Sequence, residues 1–230
     1  MENNDQDQKI IEDIQDYFQK HKYVVIRKFL DENTAALMYH YCINKVKAMD
    51  FKYLWAPNEY SKEWDGTFGD EQAPISYSSY GDVLMDTLLI ASNQMVNKYT
   101  GLELIPNYTY WRLYQKGEEL KRHSDRHSCE ISTTLCLGYN TSNLSEEVRK
   151  EYSWPMYIES SAHPEVDGVP VAMNPGDMII YRGCDLEHWR DPFVGLNHAQ
   201  VFLHYNDMNG PYKNKFDGRP MVGIPKKFQA

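Results

Sequence analysis

The sequence lacks the features that mark disulfide-rich, zinc-knuckle and membrane proteins. Its 4 cysteines form no Cys-x-x-Cys pair, so we expect reduced, mostly buried thiols. No run approaches the roughly 20 apolar residues needed to span a bilayer. The start is acidic and polar, whereas a secretory signal is basic and then apolar. We therefore expect a soluble, cytoplasmic protein with no membrane partner.

Long basic runs are missing as well. The chain of 230 residues carries 24 Lys and Arg against 33 Asp and Glu, which gives a net charge of -9. A broad phosphate-binding surface requires clustered cations, so a nucleic-acid partner is not expected. The hydrophobic content of 42% is sufficient for one medium-sized globular domain.

Helical patterns dominate the first 100 residues. Apolar residues at helical spacing predict a helix over 8–21, and the β-branched stretch YVVIRKFL predicts a strand over 23–30. A second helix is predicted after an Asp31 cap. Its buried face is expected to contain Ala35, Met38, Cys42, Val46 and Met49. A third helix is predicted over 82–99, ending at Gly101. Its buried face is expected to contain Leu84, Leu88, Ala91, Met95 and Tyr99.

Residues 51–80 mix aromatic residues with Gly, Pro, Asn and Ser without a regular period. Such a segment is typical of a surface loop and not of a core element. Aromatic-rich loops often border ligand sites, and a plain packed loop is the alternative. We expect this segment to be a lid.

Short β-branched or aromatic segments separated by turn residues follow Gly101. They are YTYWRLY, EISTTLCLGY, WPMYIES, VPVAMNP, GDMIIYRG and HAQVFLHY. No linker or repeat divides the chain, so we predict one α+β, mainly β domain over 1–230, with helices packed against a β-sandwich or barrel. Residues 1–100 would supply helical support and the lid, 101–207 the β core, and 208–230 a C-terminal extension.

The stretch KRHSDRHSCE places His123, Asp125 and His127 at alternate positions. A lone His-x-Asp is a weak signal, but a strand end turns residues i and i+2 to one face, so His123 and Asp125 could converge on an ion. A second strand, in GDMIIYRGCDLEHWRD, ends near His188. Two histidines and one carboxylate leave open positions on a metal, the arrangement of non-haem iron(II) sites. A fourth protein ligand would fill one of those positions, so His127 is expected to lie outside the metal shell.

At these residues the chain resembles the iron(II)- and 2-oxoglutarate-dependent dioxygenases of the prolyl-hydroxylase-like and phytanoyl-hydroxylase-like branch. The resemblance spans about 23–205 and rests on YWRLYQKGEELKRHSD, NPGDMIIYRGCDLEH and HAQVFLHY. It implies a double-stranded β-helix (jelly-roll, cupin-like) core. It also implies that His123, Asp125 and His188 bind iron, and that Tyr114 donates a hydrogen bond to 2-oxoglutarate.

The chain differs from this family at the position of the cation that binds the remote carboxylate of 2-oxoglutarate. Family members carry Arg or Lys about ten residues after the distal histidine, and His198 stands there. Arg190 is an equal candidate if the strand continues past His188, although an ion pair with Glu187 or Asp191 would also explain it. Arg112 shares the alternation of Tyr114 and ranks behind these two. Gln200 and His204 alternate with His198 and either line the same cavity or only pack.

The resemblance implies a hydroxylase that uses iron(II), 2-oxoglutarate and oxygen and releases succinate and carbon dioxide. A small molecule or a peptidyl residue is the expected substrate. Two alternatives remain open at the level of sequence. The first is a jelly-roll module that binds metal without turnover, suggested by the missing cation at 198. The second is a zinc hydrolase built on His123, Asp125, His127 and His188.

Overall fold

The computed structural model describes residues 2–159 and 167–229, which form helices and antiparallel strands. The helices are α1 (Glu2–His21), α2 (Glu32–Trp55), α3 (Lys62–Asp65), α4 (Val83–Thr100) and α5 (Glu146–Glu151). The strands are β1 (Tyr23–Ile26), β2 (Thr67–Phe68), β3 (Tyr77–Tyr80), β4 (Leu104–Gln115), β5 (Leu120–His123), β6 (Ile131–Asn140), β7 (Met156–Ile158), β8 (Val169–Val171), β9 (Met178–Arg182), β10 (His188–Arg190) and β11 (Asn197–Asp207).

The strands form two sheets. The major sheet has the order β1-β9-β6-β11-β4-β3-β2, and the minor sheet has the order β5-β10-β7-β8. Every described pairing is antiparallel. The predicted α+β, mainly β class is confirmed at this level, because helices accompany sheets that are antiparallel.

Strand alternation places the major sheet between two apolar layers. On β9, Ile180 joins the core shared with the helices, whereas Ile179 packs with residues of the minor sheet. Successive strand residues point to opposite faces, so a continuous apolar strand such as MIIYR serves both layers. On β11 the same rule turns His198, Gln200 and His204 away from the helical core, toward the side on which the minor sheet lies.

Capping residues set the starts of α2 and α4. The Asp31 carboxylate accepts from Thr34 N and starts α2, and Asp82 caps α4 through Leu84 N. Gly101 ends α4 in the left-handed conformation (φ 70°), which costs glycine little. The predicted α2 face is confirmed, since Ala35, Met38 and Cys42 are buried.

Three predictions from the sequence were wrong in part. The strand predicted over 23–30 ends at Ile26. The predicted α4 face is rotated by one residue, because the buried set is Met85, Asp86, Leu89, Ser92, Val96 and Thr100. A polar residue on the buried face, Asp86, obscured the true apolar stripe.

The third error concerns the segment 51–80. Its first five residues complete α2, and its last four form β3, which pairs with β4. Tyr77 and Ser78 are each only 1% exposed. The Tyr and Ser side chains of β3 suit a strand that is buried on both faces. The stretch 56–76 contains only the short α3 and β2, and the rest of it has the loop character predicted for a lid.

The chain after β11 folds back over α4 and β4. Arg219 forms an ion pair with Asp86 at 3.0 Å with both side chains at 0% exposure. Asp217 is likewise buried and binds Arg126 and Tyr80. None of the described helices has the length and apolar character required to cross a membrane.

Candidate metal centre

Two neighbouring strands of the minor sheet bring the predicted ligands together. The last residue of β5, His123, is the register partner of the first residue of β10, His188. Asp125 follows β5, and its backbone N–H donates to Gly183 O at 2.8 Å. Nε2 of each histidine lies 3.7 Å from Asp125 Oδ1. The three ligand atoms all lie within 4.8 Å of one another, a spacing that a single ion can bridge.

Backbone carbonyls fix the tautomer of both histidines. His123 Nδ1 lies 2.7 Å from Lys121 O, and His188 Nδ1 lies 3.1 Å from Leu186 O. A carbonyl only accepts, so each Nδ1 carries the hydrogen and each Nε2 of a neutral ring presents a lone pair to the cluster. Burial lowers the pKa of His188 and favours that neutral ring.

Asp125 is held by a relay that the sequence did not reveal. Ser132 Oγ donates to Asp125 Oδ2 at 2.7 Å, and His204 Nδ1 lies 2.9 Å from the same Ser132 Oγ. Because the Ser132 hydroxyl hydrogen points toward Asp125, the hydrogen bond between His204 and Ser132 must be donated by His204 Nδ1–H. Burial lowers the pKa of His204 to about 4, so the ring is neutral near pH 7. A serine at a buried position of β6 was the available signal, but it does not distinguish a packing role from this one.

Two other polar residues lie close to the cluster. His127 is on a 3-10 turn with its ring stacked on Tyr212, 4.2 Å between centroids, and it is not part of the three-residue group. Cys129 and His204 form a second group with Asp125. The Cys129 thiol is 3.0 Å from the Tyr108 hydroxyl, and burial raises its pKa.

Arg112 lines the cavity beside the cluster, but its charge is already matched. Its guanidinium binds both oxygens of Asp70 at 2.9 to 3.1 Å and donates to Gln72 Oε1 at 2.8 Å. Its Nη1 also donates to Tyr114 OH at 3.3 Å. Asp70 comes from the 56–76 stretch, and no local pattern in the sequence predicts this pairing.

Arg190 carries a buried charge without an ion pair to any described carboxylate. Arg190 is 1% exposed, and its Nη1 donates to Trp154 O at 2.6 Å. In the amide orientation that satisfies both ends of Gln200, the carbonyl of Gln200 accepts from Arg190 Nη2 at 2.8 Å. Nε has no partner among the described residues. The ion pair with Glu187 or Asp191 considered from sequence is not formed.

Tyr114 and His198 are register partners on β4 and β11. The His198 ring packs among Trp154, Phe193 and Tyr139, and its Nδ1 has no partner among the described residues. Burial, reinforced by the charge of Arg190, lowers the pKa of His198 well below its ordinary value. His198 is therefore a neutral ring, and it does not replace a permanent cation.

A cavity of about 350 Å³ opens onto the three-residue cluster. Its wall includes Arg112 and Phe202 together with Leu120, the register partner of Arg190. Tyr181 also lines it, and its ring packs edge-on against His188 at 4.8 Å. Of the candidate anchors for a second ligand, Arg112 lines this cavity, whereas Arg190, His198 and Tyr114 are not among the residues that line it.

Comparison with models of known protein families gives no match, and comparison with curated proteins gives none either. Comparison with solved structures does give matches. A prolyl-4-hydroxylase from Pseudomonas putida aligns with 86% of this chain and 100% of its own, at 15% identity and a TM-score of 0.57. AviO1 from Streptomyces viridochromogenes aligns over 87% and 96%, at 15% identity and a TM-score of 0.60.

EctD from S. alaskensis with bound Fe aligns over 91% of this chain and 82% of its own, at 15% identity and a TM-score of 0.59. A 2OG-Fe(II) oxygenase-family oxidoreductase from Burkholderia pseudomallei also matches, with a TM-score of 0.57 at 12% identity. The likeness to the iron(II) and 2-oxoglutarate oxygenases expected from the sequence is thereby confirmed, and this chain has their fold.

Proposed function

We propose that the protein is an iron(II)- and 2-oxoglutarate-dependent dioxygenase that hydroxylates a C–H bond. The cluster of His123, Asp125 and His188 in this fold carries the proposal, because both Nε2 lone pairs and one Asp125 oxygen face a common point. Two imidazoles and one carboxylate suit iron(II) and leave positions open for other ligands. We infer further that the two sheets form a double-stranded β-helix and that residues 1–230 make one domain.

The proposed roles of this chain are binding and orientation. Lys121 O and Leu186 O hold the two rings, and Ser132 holds the carboxylate, so the ligands are positioned before the metal arrives. When bound, iron(II) would supply a site for oxygen activation, with O2 as the oxidant: one oxygen atom would enter the hydroxyl group and the other succinate, as 2-oxoglutarate loses carbon dioxide.

Arg190 is the proposed partner for the remote carboxylate of 2-oxoglutarate. A buried guanidinium without a carboxylate is costly, and a dicarboxylate ligand removes that cost by forming charge-assisted hydrogen bonds. The unpartnered Nε of Arg190 supports this assignment. Arg112 is already bound to Asp70, and His198 is neutral, so both fit the role less well. Tyr114, on the facing strand, is the proposed hydroxyl donor to the same ligand.

The two alternatives are weaker for specific reasons. The binding module without turnover was suggested by the absence of a cation at 198, and Arg190 offers a cation on another strand. The zinc hydrolase required His127 in the metal shell, and its ring is stacked on Tyr212 instead. Neither alternative is favoured by an observation of its own.

The test loads the purified protein anaerobically with iron(II) and measures 2-oxoglutarate binding by calorimetry. Succinate release is then measured after oxygen is admitted. We expect iron-dependent succinate formation that is lost in His123→Ala and Asp125→Ala and retained in His127→Ala. Loaded protein that neither binds 2-oxoglutarate nor releases succinate would contradict the proposal. Hydrolysis that persists without oxygen and with retained zinc would favour the zinc hydrolase.

A further inference from the structure

A second cavity lies beside the metal cavity, and we call it the outer cavity. It measures about 420 Å³ and shares Tyr108, Tyr110 and Arg126 with the inner one. His123, Asp125 and His188 line only the inner cavity, whereas Lys62 and Lys226 line only the outer one. A molecule that reaches both must therefore pass between the three shared residues, which we call the neck.

The neck is rigidly built. Tyr110 OH donates to Asp70 Oδ2 and to Ser78 Oγ, each at 2.7 Å. The Tyr108 ring stacks on Tyr80, 4.7 Å between centroids. Arg126 donates to both oxygens of the buried Asp217 at 2.6 and 2.9 Å. Because each of the three side chains is held by its own partners, the wall that the two cavities share is preformed.

The charged groups that line the outer cavity carry a positive surplus. Arg112 is matched by Asp70, Arg126 is matched by Asp217, and Asp125 belongs to the metal cluster. In the outer cavity this leaves Lys62 and Lys226, neither of which forms an ion pair with any residue that the structure describes. Glu63 is the one acid that lines the outer cavity, and its carboxylate accepts from Ser61 Oγ at 2.6 Å and stays ionised. Two lysines against one carboxylate leave a surplus of one positive charge.

The two lysines come from segments that are far apart in the sequence. Lys62 begins α3, and Lys226 belongs to the turn at the end of the C-terminal segment. These segments touch through Trp64 and Phe228, whose ring centroids are 6.0 Å apart. The chain as a whole has a net charge of -9, so a cationic outer cavity is a local reversal of sign that would attract anions and repel cations.

We propose that the substrate is a small organic acid whose carboxylate binds between Lys62 and Lys226 while its apolar body passes the neck toward the metal ligands. This inference rests on the proposed function and adds the substrate class. The reacting carbon is several bonds from the carboxylate, because the lysines and the metal ligands line different cavities. Leu120 and Phe202 of the inner cavity offer an apolar surface to that end of the molecule.

The test compares carboxylic acids with their primary amides, which have nearly the same shape and no charge. Hexanoate, decanoate and 4-phenylbutyrate, each beside its amide, are titrated into protein loaded with manganese(II) and 2-oxoglutarate, and propionate serves as the short member. We expect at least one longer acid to bind about tenfold more tightly than its amide, and propionate to bind weakly. High salt is expected to reduce the preference for the acid.

The variant Lys62→Gln/Lys226→Gln is expected to abolish the preference for acids and leave amide binding unchanged. The control Lys9→Gln/Lys47→Gln removes two exposed lysines from α1 and α2 and is expected to keep the preference. Equal binding of acid and amide, no binding by any acid at millimolar concentration, or a preference that survives the first variant would overturn the inference. Failure of the proposed function is separate, since it shows as absent metal or 2-oxoglutarate binding before any acid is added.

Discussion

Gly183 shows how one residue outside the ligand set limits the candidate metal centre. A Cβ at this position would meet Asp125 Oδ2 and would lie 2.5 Å from Cys129 O. The carboxylate can move, whereas the backbone carbonyl cannot move cheaply. Glycine is therefore required here for close packing around the ligand, and not for a left-handed backbone.

We predict that Gly183→Ala lowers metal affinity by displacing the Asp125 carboxylate. Loss of support for a ligand typically costs about 10- to 100-fold in affinity. Manganese(II) titration followed by electron paramagnetic resonance measures the change. The control is Gly117→Ala, where φ is +89° and nothing lies within 4 Å of the added Cβ. This control loses some stability through backbone strain and should keep its metal affinity. Equal affinity in Gly183→Ala and wild type would refute the prediction.

The buried His198 is expected to make the free energy of unfolding depend on pH. Its folded pKa lies well below the ordinary 6.5 because burial and the Arg190 charge both disfavour the cation. As pH falls below about 6.5, the unfolded chain binds a proton that the folded protein does not bind. The His198 contribution therefore destabilises the fold progressively on the acid side, by at most about 1.4 kcal/mol per pH unit.

Urea unfolding of the metal-free protein between pH 7 and pH 5 tests this contribution. We expect His198→Phe, which keeps an aromatic ring among Trp154 and Phe193, to lose less stability on acidification than wild type does. His40→Gln, an exposed change on α2, is expected to keep the wild-type slope. Identical slopes in wild type and His198→Phe would mean that His198 is protonated in the folded state.

At the scale of elements, the C-terminal segment is fastened to α4 by one buried carboxylate. Asp86 accepts from Arg219 Nη1 at 3.0 Å, from Gly223 N at 2.7 Å and from Thr109 Oγ1 at 2.6 Å. Both charged side chains are fully buried. Removing the acid leaves the Arg219 cation in the interior without its partner, which is the costly half of a buried ion pair.

We predict that Asp86→Ala destabilises the protein by about 3–5 kcal/mol and loosens the segment 208–229. Denaturant unfolding gives the stability, and limited proteolysis followed by mass spectrometry locates the first cleavage. The double variant Asp86→Ala/Arg219→Met removes the stranded cation and should recover part of the loss. If the double variant is no more stable than Asp86→Ala, the hydrogen bonds to Thr109 and Gly223 are the dominant contribution.

The sequence predicted elements that have strong local signals and missed those that depend on distant partners. Alternation and turn residues located β4, β6, β9 and β11, and the Asp31 cap located the start of α2. β3 was missed because its Tyr and Ser residues are neither apolar nor β-branched, and its place is set by pairing with β4. The α4 face was misassigned because Asp86 is buried by a residue 133 positions away.

The residues of the candidate site divide in the same way, into those with a local signal and those that depend on distant partners. His123 and Asp125 are local in sequence and were found together, whereas His188 was found through its resemblance to a known arrangement. Ser132, Gly183 and Asp70 were missed, because each acts through a contact between strands or loops that no local pattern records. The choice among Arg190, His198 and Arg112 needed burial and pairing, which depend on the whole structure.

At the scale of the whole molecule, the proposed function links ligand binding to folding through Arg190 and the three proposed metal ligands. A ligand that binds only the folded protein stabilises it by about 2.7 kcal/mol at a hundred times its Kd. For a chain of 230 residues this corresponds to a rise in Tm of roughly 5–11 °C. The metal and 2-oxoglutarate should give separate increments, because they contact different side chains.

We therefore predict an ordered pattern of thermal shifts. Manganese(II) alone should raise the Tm of wild type, and 2-oxoglutarate should raise it further only when the metal is present. Arg190→Met should keep the metal increment and lose the 2-oxoglutarate increment, because the variant removes the cation and leaves the metal ligands in place. Its unliganded Tm should not fall by much, since replacing an unpaired buried charge with an apolar side chain relieves its desolvation cost. An Arg190→Met protein that keeps both increments would place the carboxylate anchor elsewhere, and Arg112 would then have to exchange Asp70 for the ligand.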